Sequence, residues 1–244
     1  RLVISGARIL TSAGNMTLDA TSGTGIVADD DLTATAVGNL TVNEDLTTNG
    51  DTSLIAKDNL TLAGNLTTNG TTVLTADNDG LGSGDLSLAA LKTIDTGGSA
   101  ATLTASDIIL EGSLTTGAAA LNLLVSDGGT IGLGDAVKDY TLDKLELSRI
   151  TSGDTQIGDA STGSITVNNV SESDSDGISG MLTLDASKDK SSIVFETVAS
   201  IFNALTAKSD DGIAISVDLT TDTGDMILEG DADGNIDTAG DDIV

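Results

Sequence analysis

Residues 39–50 read NLTVNEDLTTNG, and residues 59–70 read NLTLAGNLTTNG. Aligning 39–58 with 59–78 gives identity at 11 of 20 positions, among them Leu46-Thr47-Thr48-Asn49-Gly50 against Leu66-Thr67-Thr68-Asn69-Gly70. Self-similarity at such a period marks a stacked repeat architecture. The period is too short for the common two-helix repeats and suits one coil of a parallel β-solenoid. In Leu60-Thr61-Leu62 the period-two alternation predicts both Leu side chains inside and Thr61 outside. Leu103-Thr104-Ala105 and Ile213-Ala214-Ile215 alternate likewise. Thr and β-branched residues favour strands. Asn49-Gly50 and Asn69-Gly70 predict tight turns that need positive φ. Asn-Gly also closes hairpins, but each next strand repeats the previous coil, so pairing coil above coil is the expectation.

The wording returns at looser spacing. Leu-Thr-Thr recurs at 46–48, 66–68, 114–116 and 219–221. Residues 54–68, 103–116 and 205–221 each run strand, Asp-bearing turn, strand, turn and Leu-Thr-Thr, with turns of varying length. Insertions confined to turns are how imperfect solenoid coils differ. Residues 193–207 dissent: Val194, Val198, Ile201, Phe202 and Leu205 fall at helical spacing. Two strands, 193–196 and 203–207, are preferred to a helix because the second runs into a repeat phrase. Without a Pro-rich or low-complexity linker, residues 1–244 read as one solenoid domain. Both ends lie in mid-pattern, which reads as a piece of a longer repeat protein.

The composition constrains function. Aromatic residues make up 1% (Tyr140, Phe195 and Phe202), and Pro, Cys, His and Trp are absent. A net charge of -28 with few aromatics would suit disorder, but 39% hydrophobic content in alternation supplies a narrow aliphatic core. Lack of Cys removes disulfides and thiolate metal sites. Lack of His and Cys removes the commonest bases and nucleophiles. With ten dispersed Lys and Arg residues and scarcely any sugar-stacking ring, no enzyme is expected. At about 20–24 residues per coil and ~4.8 Å per coil, roughly eleven coils would span about 50 Å. The net charge then amounts to roughly one per 2 Å, near the ~1.7 Å of duplex DNA. Such a rod attracts divalent cations and repels nucleic acid and anionic membrane. No apolar run is long enough for a transmembrane helix, so no membrane insertion is expected.

NLTLAGNLTTNG at 59–70, IDTGGSAATLTASDIILEGSLTTG at 94–117 and GDMILEGDADGNIDTAGDDIV at 224–244 resemble the repeats of large secreted bacterial adhesins, the filamentous-haemagglutinin-like and autotransporter-passenger proteins. The resemblance covers most of the chain and rests on composition and repeat style. It implies an all-β, right-handed parallel β-helix, exported and displayed on the cell surface or shed as an extracellular fibre. It maps no catalytic residue. The expected function is a structural fibre or adhesin stalk whose partner is itself, by head-to-tail stacking or continuation of a longer chain. The alternative is a passenger that binds cell-surface glycans or a receptor, with 135–150 around Tyr140 as its candidate loop. A polysaccharide-active β-helix enzyme is more remote. An ice-binding face needs stacked Thr-x-Thr, and the Thr positions drift with turn length.

The sharpest local signal is EGDADGNIDTAGDD at 229–242. Glu229, Asp231 and Asp233 take positions one, three and five of a calcium-loop pattern, Gly234 is sixth, Asn235 seventh and Asp237 ninth. Gly240 replaces the bidentate Glu at position twelve, where Asp241 or Asp242 is the available substitute. Ca²⁺ seeks six to eight oxygens, so calcium is the one cofactor expected, held by Glu229, Asp231, Asp233, Asn235, Asp237 and Asp241; a solvated acidic turn is the plain alternative. Asp77-Asn78-Asp79-Gly80, Asp174-Ser175-Asp176-Gly177 and Asp210-Asp211-Gly212 read as ordinary turns. DGGTIGLGD at 127–135 resembles one β-roll calcium repeat but lacks the array. Asn-x-Thr/Ser occurs at Asn15, Asn39, Asn59, Asn65, Asn69 and Asn169; chance in so Thr-rich a chain is the leading account, and sugar on exposed turns the alternative.

Overall fold

The computed structural model describes residues 1–20 and 23–232. The chain is mostly β, built of short strands in parallel sheets with no closed barrel. It visits three faces in turn. Face A holds Leu2–Ile4, Ile26–Ala28, Leu46–Thr48, Leu66–Thr68, Thr93–Asp95, Ser113–Thr115 and Ile150–Thr151. Face B runs through ten strands, from Arg8–Ser12 to Met226–Glu229. Face C holds Met16–Leu18, Leu40–Val42, Leu60–Leu62, Asp85–Leu88 and Asp107–Leu110. Each strand pairs in parallel with its counterparts one coil away, such as Leu46 with Leu66 and Leu54 with Leu74. The Leu-Thr-Thr phrases at 46, 66 and 114 thus share face A.

Down face B the inward column is Leu10, Ala34, Leu54, Leu74, Leu103, Leu123, Ile157, Leu184, Ala207 and Leu228. The steps between neighbours are unequal. Ala34 to Leu54 and Leu54 to Leu74 are short, while Leu74 to Leu103 and Leu123 to Ile157 take in far more chain. The surplus is looped out at corners, so the register survives it. Thr33, Ser53, Val73 and Thr102 therefore share one outward column, and Thr35, Ile55, Thr75 and Thr104 the next. The threonines drift in sequence but not in space, yet only two of these four strands carry Thr-x-Thr. Leu60 and Leu62 are buried and Thr61 is half-exposed, as the alternation predicts.

The corners explain the recurrent Asn or Asp before each strand. Where the backbone bends, an N–H would leave the sheet ladder, and a side-chain oxygen one coil away accepts it. Toward face C, Asn39 N–H donates to Asn15 Oδ1 at 3.0 Å, Asn59 N–H to Asn39 Oδ1 at 3.1 Å and Asp85 N–H to Asn59 Oδ1 at 2.9 Å. Toward face A, Asn65 N–H donates to Asp45 Oδ1 at 2.8 Å and Thr93 N–H to Asn65 Oδ1 at 3.0 Å. Toward face B, Asp51 N–H donates to Asp31 Oδ1 and Thr71 N–H to Asp51 Oδ1, both at 2.8 Å.

Two expectations need correction. Gly50 and Gly70 do not have positive φ, and neither do Asn49 and Asn69. These glycines are required by crowding: a Cβ on Gly70 would lie 2.6 Å from the carbonyl carbon of Gly50 and 2.7 Å from Asp51 N. In Leu46–Thr48 and Leu66–Thr68 the alternation carries the last Thr inward. Thr48 and Thr68 are fully buried at the A–B corner, where Thr68 Oγ1 bonds Thr72 Oγ1 at 2.6 Å and Thr48 bonds Thr52. Residues 193–207 contain no helix but three strands, Ile193–Phe195, Ser200–Phe202 and Leu205–Ser209, the middle one unforeseen. Of the helically spaced residues, Phe202 and Leu205 are buried from separate strands and Val198 is exposed, so they form no common face.

The regular winding changes after Val125. Strand Ile131–Gly134 leaves a gap above Asp107–Leu110, and Tyr140–Asp143 returns to pair beside it, Tyr140 with Ile131. Thr141 N–H reaches Asp107 Oδ1 at 2.9 Å, joining this new sheet to face C. Helix α1 (Lys144–Ser148) then forms, followed a coil later by α2 (Glu172–Ser175). Asp143 caps α1 by accepting the Glu146 N–H at 2.8 Å, while Glu146 Oε2 accepts the Asp143 N–H at 3.0 Å. This reciprocal capping box starts the helix where the sequence leaves its strand pattern. Among the described residues no helix is long and apolar enough to cross a membrane.

Candidate functional site

The expected calcium turn is only partly within the described residues. Glu229 ends the last strand of face B, beside Lys208, and both Glu229 and Asp231 are exposed. Asp233, Asn235, Asp237 and Asp241 lie outside the described residues.

One acidic group forms that sequence reading missed. Glu172 opens α2, Asp176 follows it, and Asp222 follows strand Leu219–Thr221; one carboxylate oxygen of each lies within 4.8 Å of the others. All three are exposed. Asp222 lies far beyond Asp176 in the chain, so no local pattern could bring them together.

The β-roll-like stretch spends its carboxylates on protein donors. Asp127 Oδ1 accepts the Gly129 N–H at 2.8 Å. Asp135 accepts from Asn169 Nδ2 at 2.6 Å and pairs with Lys144 Nζ at 3.0 Å. Those two contacts hold the Asp135 carboxyl below its ordinary range, Asn169 contributing most. The insertion therefore fastens itself to its neighbours.

Its interior is the most perturbed region for titration. Tyr140 is fully buried and, among the described residues, its hydroxyl has no hydrogen-bond partner. It is not the exposed ring that a glycan platform requires. Burial, then the Asp107 and Glu146 charges, push its phenol well up. Glu146 is half-buried and its Oε1 accepts the Leu110 N–H at 3.0 Å, tying α1 to face C. Burial chiefly, with repulsion from Asp143 and Asp107, raises its pKa to about 7 against the backbone bonds. Burial likewise raises Asp107, opposed by the N–H groups of Thr141 and Ile108.

Asp77 organises the other large loop. It is buried with φ 52° and accepts Gly82 N–H at 2.9 Å, Leu81 N–H at 3.2 Å and Ser126 Oγ–H at 2.6 Å. Burial raises its pKa, but these bonds outweigh it and hold the carboxyl below its ordinary value. Four of the six Asn-x-Thr/Ser matches, Asn15, Asn39, Asn59 and Asn65, supply corner acceptors. A groove of about 200 Å³ lies between Ser192, Val194 and the 211–214 segment, with Asp211 its one charged lining residue.

A scan against models of known protein families finds no match. Searches of the curated proteins and of the solved structures find none either.

Proposed function

We propose that this chain is a structural segment of an extracellular or cell-surface fibre, an adhesin stalk of right-handed coils built on a unit of about 20–24 residues. One observation carries the reading: face B stays in parallel register through ten strands while its insertions are looped out. A molecule selected for reach keeps its spacing and lets its corners vary. Ten strands at ~4.8 Å spacing give a rod of about 43 Å. The right hand follows the rule for parallel crossovers and the adhesin resemblance. The acidic corners oppose lateral clumping, and calcium at Glu229–Asp241 would stiffen one end. No catalytic role is assigned.

The glycan-binding alternative rests on the 135–150 insertion, which exposes Val137 and Leu145, but Tyr140 offers it no stacking ring. Electron microscopy with and without millimolar calcium tests the proposal. Uniform thin rods are expected. Compact particles lacking a long axis would overturn it.

A further inference from the structure

Face B gives the rod one strip without charge. From Leu32–Ala36 to Thr155–Gly158 each of its strands is paired on both sides, so the outer surface there does not depend on where the chain begins or ends. Along the two outward columns from Leu32–Ala36 onward, the first charged side chain is Asp185, in Leu182–Ala186. The strip lies on a molecule whose net charge is -28.

The strip is also regular and stiff. In the four strands from Leu32–Ala36 to Ala101–Ala105, seven of the eight outward residues are Thr, Val or Ile, the other is Ser53, and all eight are half-exposed. β-branched side chains are restricted at χ1, so docking costs them little rotamer freedom. Their rows recur at ~4.8 Å along the stack. A surface with the same repeat can interdigitate with them along its whole length, as paired sheets do in steric zippers. A surface with another repeat falls out of step within a few rows. The outward columns of these strands have no ring for a sugar to stack on and no cation for a nucleic acid.

We infer that a second copy of this chain docks on the strip, face B against face B, with the outward rows of each copy set between those of the other. The contact is isologous, the same uncharged patch serving both copies. Lateral association is thereby confined to one face, since the acidic corners repel other approaches. Six strands at ~4.8 Å spacing, each about five residues long, give a patch of roughly 450 Å² per copy. Two such patches bury less than the about 1,200–2,000 Å² of a standard interface, so one pair of segments binds weakly and the contact strengthens with coil number.

Sedimentation equilibrium of the whole chain at rising protein concentration tests the docking. Raising salt from about 0.1 M to 1 M shortens the Debye length from ~10 Å to ~3 Å, so self-association should strengthen with salt. Val73→Asp and Val73→Lys, each verified as folded by circular dichroism, should both lower the association constant by roughly tenfold or more, because either leaves an unpaired charge in the contact. The Lys variant is the sharper arm: it reduces the net negative charge, and it would strengthen any association governed by overall repulsion. Thr104→Lys, one coil on in the other outward column, repeats the test. Thr61→Asp, outward on face C, should associate as the parent does. A parent monomeric at every salt concentration, a Val73→Lys chain that associates as well as the parent, or an equal loss from Thr61→Asp would overturn the docking. If the parent is monomeric, its retention on ice or on an insoluble neutral glycan, lost in Val73→Asp, assigns the strip to that occupant instead.

Discussion

Replacing Gly70 by Ala tests why the coils can lie so close at their corners. The residue has ordinary φ, and the new methyl would stand 2.6 Å from the carbonyl carbon of Gly50 and 2.7 Å from Asp51 N. Asp51 Oδ1 at 2.5 Å is a third obstacle, and the two backbone atoms cannot be relieved by any rotamer change. The coils must part locally, which breaks the 2.8 Å bond from Thr71 N–H to Asp51. Overpacking costs about 1–3 kcal/mol, and loss of a bond to a charged acceptor about 1.5–3 kcal/mol. A stiffer unfolded chain offsets about 0.4–1 kcal/mol of this. The net loss is about 2–5 kcal/mol, a fall in Tm of roughly 4–20 °C at this chain length. Gly98 is the control, with φ +84° and nothing within 4 Å of an added Cβ. Asn tolerates left-handed backbone, so Gly98→Asn should cost little, whereas Gly70→Asn should be as harmful as Gly70→Ala. Thermal and urea unfolding followed by far-ultraviolet circular dichroism measures all three. A Gly70→Ala chain as stable as the parent, or rescue by Asn at 70, would refute the crowding argument.

Other perturbations probe the core, the insertion and the large loop. Leu60→Asp buries an unpaired charge and should unfold the neighbouring coils, while Thr61→Asp next to it should be nearly silent; equal tolerance in urea unfolding would overturn the inside–outside assignment. Glu146 binds its proton more tightly folded, at about 7, than its ordinary value of 4.5. Its linkage therefore adds stability as pH falls from 7 toward 4.5 and adds nothing further below that. Glu146→Gln should flatten the difference in stability between pH 7.5 and 5, and an unchanged slope would show that the group does not titrate there. Asp77→Ala strips the acceptor from Leu81, Gly82 and Ser126, so hydrogen exchange should rise by tenfold or more across 77–84, on the order of 1.5 kcal/mol of lost protection.

Much of the fold was legible because its rule is local. Leu60, Thr61 and Leu62 declare their faces by alternation alone, and the echo of one phrase in the next sets the step from Leu54 to Leu74. What escaped was set by the coil above or below. Asn-Gly is a turn signal in any context, but crowding at Gly70 depends on Asp51 in the previous coil. Asn39 and Asn59 resembled modification signals because their use as acceptors requires knowing which residue lies one coil on. Thr68 follows the parity of Leu66 inward, but its bond to Thr72 across the corner could not be read from alternation. The departure at 135–150 was visible as a lapse in the pattern, but the burial of Tyr140 follows from a strand stacking out of sequence order. Glu172, Asp176 and Asp222 share no local signature at all.

The register of face B has a consequence for how this molecule measures distance. From Leu123 to Ile157 the chain spends far more sequence than from Leu103 to Leu123. Each interval advances the stack by one strand spacing, ~4.8 Å. Physical length here counts windings, not amino acids. A corner can acquire a helix or a loop without displacing anything beyond it, so decoration and reach are inherited as independent traits.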